Sequence, residues 1–249
     1  MSDSPQVKSF VSAALAKGMS RTELRAVLLG GGWPKDMVDS YLKRVTPAEP
    51  VVRSVILQVK GLRKKVRGGP LLDNIDFEIG KGEIFGIVGP GGSGKSTLMN
   101  ILVGLNMPDT GDVLVIDGAP RSVLRDESTR ALIGFSPQQP SLYADLSARE
   151  NIEHFAAMFG VLTTTGKSKA SQLLKLVGLD QQADQIVQSM SIGQKKRLDI
   201  ACAMVSDPKI VFIDDPAGEL DPNQQHALWQ LLRDIADKVQ NAVLLKDPF

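Results

Sequence analysis

The sequence predicts a layered α/β domain preceded by a small all-α unit. Three observations carry this. Apolar runs at 54–60, 74–79, 83–89, 113–116, 131–135, 210–214 and 242–245 alternate with helical segments, as strands and helices do in layered folds. Residues 1–45 place apolar side chains at helical spacing instead. Between them, "TPAEP" opens a polar, proline-bearing linker over 46–51. The expected division is a three-helix unit at 1–45, a linker at 46–51 and a large domain at 52–249.

In the N-terminal unit, Val7, Phe10, Val11, Ala14 and Leu15 define a first helix that Gly18 ends. "SRTE" at 20–23 is a capping box, with Ser20 as N-cap and Glu23 reaching back, and Leu24, Val27 and Leu28 follow on one face. "GGGWP" at 30–34 breaks the chain and puts Pro34 in the first turn of a third helix, whose stripe is Val38, Tyr41, Leu42 and Val45. The unit carries seven basic and four acidic side chains without a basic stripe. That is a poor footprint for nucleic acid. A packing appendage and a protein-interaction module are the two roles it suits. Its three helices, glycine-rich loop and Trp33 resemble ubiquitin-associated-type bundles.

In the large domain, "SVILQVK" (54–60) and "NIDFEI" (74–79) alternate as half-buried strands, while "EIFGIVG" (83–89) is a near-continuous apolar run and predicts a strand buried on both faces. "SARENIEHFAAMFG" opens with a second capping box, Ser147 and Glu150, and ends at Gly160. The single cysteine, Cys202, excludes an intramolecular disulfide and a cysteine-rich zinc site; within "DIACAMV" it reads as a small core residue. A formal net charge of +1 supplies no field for nucleic acid or an anionic membrane. There is no leader-like N-terminus, and no apolar run approaches the roughly 18 residues of a membrane helix. A cytoplasmic chain is expected, with any spanning part on another chain.

"GPGGSGKST" at 89–97 matches G-x-x-x-x-G-K-[ST] directly after a predicted strand and ahead of the helical run "LMNILVGL". That context is what a phosphate-binding loop requires. Gly89, Gly91, Gly92 and Gly94, with Ser93 between them, let backbone N–H groups turn toward a phosphate without side chains in the way. The following helix N-terminus adds partial positive charge. Lys95 is placed to reach the β- and γ-phosphates, and Ser96, followed by Thr97, to give Mg²⁺ a hydroxyl. Downstream, "KIVFIDDP" (209–216) is an apolar strand ending in Asp214, which suits a Mg²⁺ ligand. Asp215 follows directly and is open to three readings: a catalytic base, a weakened substitute for one, or a helix cap.

The motif order beyond the loop is more specific. "FSPQQPSLYADLSARENI" is followed by "MSIGQKKRLDIACAMVSDPKIVFIDDPAGELDP". From about Val52 onward the chain resembles the ATP-binding cassette (ABC) ATPases, the nucleotide-binding subunits of ABC transporters. The resemblance implies a P-loop NTPase fold of the ABC type, a mixed sheet flanked by helices plus a helical subdomain. It also implies a head-to-tail dimer, with a homo- or heterodimeric partner domain, in which each ATP is sandwiched between one phosphate loop and the other subunit's signature segment. Ser191, Ile192, Gly193 and Gln194 occupy the signature positions and would act on the partner's nucleotide. Gln138 sits where the family's Q-loop glutamine touches Mg²⁺ or the attacking water, and "ELDP" (219–222), with Asp221, matches the D-loop. The implied cofactors are ATP and Mg²⁺, and the implied second partner is an integral membrane permease, which would hold this chain peripherally at the inner face of the cell membrane. "LYADLSARENI" is most similar to exporter-type cassettes for drugs, lipids or polysaccharides.

Four departures from the family pattern bear on hydrolysis. Asp215 stands where the family usually has a glutamate base, one methylene longer. The switch histidine position aligns with Pro248, the two histidines, His154 and His226, fall in other helical segments, and the usual C-terminal end is expected to be lacking after Phe249. Ile192 replaces a signature glycine and would be strained if the backbone there needed φ > 0. Val66 stands where the family often stacks an aromatic ring on adenine. The expectation is a transport ATPase with slowed hydrolysis. Two other readings compete with it: a degenerate regulatory ATP-binding subunit, and a soluble cassette protein outside transport.

Overall fold

The computed structural model describes residues 54–66, 69–218, 220–238 and 242–246, together with Val38. The chain divides into two units, Met1–Arg53 and Ser54–Phe249, and both sheets belong to the second. The helices expected over 1–45 (Val38 apart), the linker at 46–51 and Pro248 lie outside the described residues.

Two four-stranded sheets organise the second unit. The first has the order β2-β1-β4-β5, built from β1 (Val55–Val66), β2 (Gly69–Gly80), β4 (Thr110–Asp117) and β5 (Ala119–Ser122), all antiparallel. The second has the order β3-β8-β7-β6, with β3 (Ile84–Ile87), β6 (Ile133–Ser136), β7 (Ile210–Asp214) and β8 (Ala242–Lys246), all parallel. Parallel strands need crossover connections, and helices supply them: α1 (Lys95–Leu102), α2 (Glu127–Arg130), α3 (Ala148–Met158), α4 (Thr163–Leu176), α5 (Ile192–Ala203) and α6 (Pro222–Lys238). Among the described residues no helix is long and apolar enough to cross a membrane.

β7 shows why its sequence is continuously apolar. Ile210 and Phe212 enter one core, with Leu57, Val113 and the α1 residues Met99 and Ile101. Val211 and Ile213 enter a second core, with α5 residues Leu198 and Ile200 and α6 residues Leu232 and Ile235. A strand covered on both faces has no polar side to display. The expectation that β3 is the doubly buried strand is corrected. Among the described residues β3 pairs only with β8, and its residues alternate between exposed and half-buried. An apolar run alone therefore does not establish burial on both faces.

The helical subdomain begins at the expected capping box. Ser147 Oγ accepts from the Glu150 backbone N–H, and Glu150 Oε2 accepts from the Ser147 N–H at 2.8 Å. Ile152 and Ala156 of α3 then meet Ala170 and Leu174 of α4. Cys202 is buried in the same core, as read from its neighbours, and burial holds its thiol well above the ordinary value.

Candidate nucleotide site

The site is assembled at the C-terminal ends of the parallel strands, where open α/β sheets place their ligand crevices. β3 feeds the loop at 89–94, and α1 begins at Lys95. Gly92 and Gly94 have φ of 78° and 90°, a left-handed backbone that glycine adopts at little cost. At Gly94 space adds to the conformational demand, since a Cβ would lie 3.0 Å from Leu72 Cδ2 and 3.1 Å from Leu71 Cγ. Lys95 is buried, and its ammonium donates to the carbonyls of Gly89 and, at 3.0 Å, Pro90. A cavity of about 350 Å³ lies against the loop, lined by Gly91–Thr97, Leu71, Gln138, Asp215 and Lys246.

Most of the residues expected at this site meet there. Gln138 Nε2 donates to Asp215 Oδ2 at 3.1 Å. Asp215 has φ of 46° and its backbone N–H donates to Lys246 O at 3.0 Å, holding the end of β7 to β8. Its other carboxylate oxygen, Oδ1, is buried and takes no hydrogen bond from the described residues. Asp214, the last residue of β7, lies with Oδ1 2.6 Å from Lys246 Nζ, close enough for an ion pair but without a well-aimed hydrogen bond. Lys246 Nζ also donates to Ser96 Oγ at 3.1 Å.

Val66 does not join this group. It ends β1, 49% exposed, and Leu71 contributes the apolar wall of the cavity. The signature segment also stays apart from its own loop. Ser191 caps α5 and closes a capping box with Gln194, whose Oε1 accepts from the Ser191 N–H at 2.9 Å. Ser191 and Gly193 line a different cavity of about 230 Å³ beside Asn223 and Gln224. Ile192 is the first residue of α5 and 53% exposed, with no left-handed φ. The strain foreseen there does not arise, because a helix start accepts a β-branched residue. Ile192 lines a third cavity, of about 210 Å³, whose walls include Gln138 and Asp215. Asp221 caps α6, accepting from the N–H groups of Asn223 and Gln224 at 2.9 and 3.0 Å. His154 packs edge-on to Tyr143 and His226 contacts Gln230 on α6; neither lines the loop cavity.

Three buried charges belong to the site's framework and were not singled out by sequence. Lys196 of α5 is 4% exposed, and its Nζ donates to Pro137 O at 2.7 Å and Asp214 O at 3.0 Å. Burial lowers its pKa against the opposing pull of Asp199, Asp214 and Asp215. Asp199 accepts from Ser136 Oγ and from the Ser141 N–H at 2.9 Å, and burial raises its pKa. Lys246 is the third. Its signal was present: a charge closing the apolar run "AVLL", the same pattern that marks Asp214 after "IVFI".

Comparison with known proteins bears on the family and the fold. The family described as ABC transporter matches over residues 72–218. The Nod factor export ATP-binding protein I of Ralstonia nicotianae is 33% identical over 190 residues, covering 76% of this chain and 58% of that protein. Its namesake in Sinorhizobium fredii is 35% identical over 181 residues, covering 73% and 52%. The chain thus spans little more than half the length of these relatives. The structure of cbiO1 from Clostridium perfringens, part of the ABC transporter complex cbiONQ, aligns with a TM-score of 0.71 at 28% identity, covering 78% of each chain. A dimeric ATP-binding cassette in a post-hydrolysis state with ADP and Pi aligns with a TM-score of 0.66 at 28% identity, covering 78% of this chain and 88% of that one.

Proposed function

This chain belongs to the ABC transporter family, and from that premise we propose that it is an ATP-binding subunit that powers transport through a separate membrane permease. The observation that carries the reading is the meeting of the glycine loop, Gln138 and Asp215 on one cavity of about 350 Å³. Backbone N–H groups from Gly91 to Thr97, at the start of α1, face a triphosphate with partial positive charge. Lys95 exchanges its loop carbonyls for the β- and γ-phosphates.

Ser96 Oγ, the Asp214 carboxylate and the Gln138 amide oxygen are hard oxygen donors of the kind Mg²⁺ takes. The fit is supported by the convergence of Asp214 Oδ1 and Ser96 Oγ on one cation, the Lys246 ammonium, at 2.6 and 3.1 Å. When bound, Mg²⁺ supplies neutralisation of charge on the β- and γ-phosphates. Asp215 accepts the proton of the attacking water, and Gln138, hydrogen-bonded to it, orients that water. Asp215 is a methylene shorter than the family's usual base, so hydrolysis is slow.

Ser191, Ile192, Gly193 and Gln194 act on the nucleotide of a second cassette, identical or not, with Asp221 at the same interface. The separation of Ser191 and Gly193 from their own loop cavity supports this assignment. The chain works in the cytoplasm, at the inner face of the membrane, and residues 1–45 serve a protein partner. Export is the favoured direction, since the relatives are named for export. A second reading, a regulatory subunit that holds ATP without turnover, is favoured by the unpartnered Asp215 Oδ1. The deciding experiment measures ATP binding and turnover by the chain and by Lys95→Ala, with and without a co-purified membrane protein. Lys95→Ala should abolish binding. Turnover by the wild type selects the first reading, and ATP-dependent dimerisation without turnover selects the second. Absence of any ATP binding would remove both.

A further inference from the structure

Lys246 stands where two metal-ligating oxygens converge. It is the last residue of β8 and pairs in register with Asp214 at the end of β7 and with Ile87 at the end of β3. Its side chain therefore rises between the strand that feeds the phosphate loop and the strand that ends in the acidic pair. The residue is 7% exposed. Its Nζ lies 2.6 Å from Asp214 Oδ1 and 3.1 Å from Ser96 Oγ, and it borders the same cavity as the loop glycines.

We propose that Lys246 is a built-in cation that competes with Mg²⁺ for Ser96 and Asp214, so that this cassette binds nucleoside triphosphate with little need for metal. The inference rests on the nucleotide reading above. A divalent ion bound by these two oxygens at about 2.1 Å and an ammonium at hydrogen-bonding distance would share the same two acceptors. They also carry like charge, so one displaces the other. The tethered ammonium has the advantage of proximity: its stem is fixed by β8, and no ion has to be gathered from solution. It can lean toward the phosphates as a point-charge donor, a role lysine fills in phosphate sites. One positive charge replaces two, so the nucleotide is held but its γ-phosphate is less neutralised. Slow turnover is therefore predicted as well.

The test titrates a fluorescent ATP analogue into the full chain, in Mg²⁺ and in EDTA, for wild type, Lys246→Met and Lys246→Arg. Methionine keeps the buried stem and removes the charge. The wild-type dissociation constants should agree within about threefold between the two conditions, whereas Lys246→Met in EDTA should bind at least about tenfold more weakly and recover in Mg²⁺. Lys246→Arg should stay near wild type. In melting experiments without nucleotide, Mg²⁺ should raise the Tm of Lys246→Met and leave the wild type unmoved. A wild type that needs Mg²⁺ by tenfold or more overturns the inference while leaving the nucleotide site in place, even if Lys246→Met does not fold. A Lys246→Met protein that matches wild type in both conditions also overturns it. No binding of the analogue in either condition overturns both this inference and the proposed function.

Discussion

Gln138 Nε2 donates to Asp215 Oδ2 at 3.1 Å, while the other oxygen of the same carboxylate is buried without a donor among the described residues. Both residues line the cavity of the phosphate loop, and an aspartate reaches one methylene less far into it than a glutamate would. Asp215→Glu extends the carboxylate by one methylene into the cavity it already lines. At saturating Mg²⁺, single-turnover hydrolysis should rise roughly tenfold, equivalent to about 1.4 kcal/mol of barrier. A rate equal to or below wild type would show that the shortness of Asp215 does not limit hydrolysis.

Gly218 is where the Asp215 carboxylate rests. A Cβ built there would lie 2.5 Å from both Asp215 oxygens, and the glycine has no left-handed φ that alanine would resist. Gly218→Ala should therefore fold normally but push the carboxylate off Gln138. Hydrolysis should fall by about tenfold or more, since misplacing a catalytic group by about an ångström carries such a cost. Nucleotide affinity should hold. Parallel loss of affinity and of Tm would point to general disruption instead.

Lys196 is the one of three consecutive basic residues that is buried. It ties Pro137 O, beside Gln138, to Asp214 O, beside Asp215. Lys196→Met strands two carbonyls and leaves Asp199, Asp214 and Asp215 without the pull of this cation. The expected loss is about 3 kcal/mol, the order seen when buried donors or charges lose their partners. Lys195→Met, which gives up a 3.3 Å contact to Gln188 O, should stay within about 1 kcal/mol. Urea denaturation of both variants decides the matter, and equal losses would refute it.

The same three residues show what a sequence can and cannot disclose. The phosphate loop was legible because its glycines, lysine and serine are each required by chemistry at fixed spacing, and the Ser147–Glu150 cap because a local hydrogen-bond pair suffices. Asp214 was legible as a charge ending an apolar strand. Lys246 has the same pattern but belongs to no motif, and its meaning comes only from the register Asp214↔Lys246. Which of Lys195, Lys196 and Arg197 turns inward is decided by how α5 packs beneath β6 and β7, which adjacent sequence positions do not encode. β5 escaped notice because "APRS" has no apolar alternation; Pro120 suits the edge strand it forms. β3 is less buried than its apolar run implies, because it pairs only with β8 among the described residues.

Asp199 supplies a pH prediction. It is 3% exposed and accepts from Ser136 Oγ and the Ser141 N–H. Burial raises its pKa above the ordinary 3.8, and the hydrogen bonds and Lys196 only partly offset this. The native state therefore takes up a proton at a higher pH than the unfolded chain does. Between the raised native value and 3.8 the native state holds more protons, so stability from this group increases as pH falls through that window and is complete below it. Asp199→Asn is neutral throughout and lacks the effect. Urea midpoints measured from neutral pH downward should shift in favour of the wild type relative to Asp199→Asn. A gap that moves toward Asp199→Asn on acidification would mean that the Ser136 and Ser141 hydrogen bonds outweigh burial, and that the carboxylate is the form the fold selects.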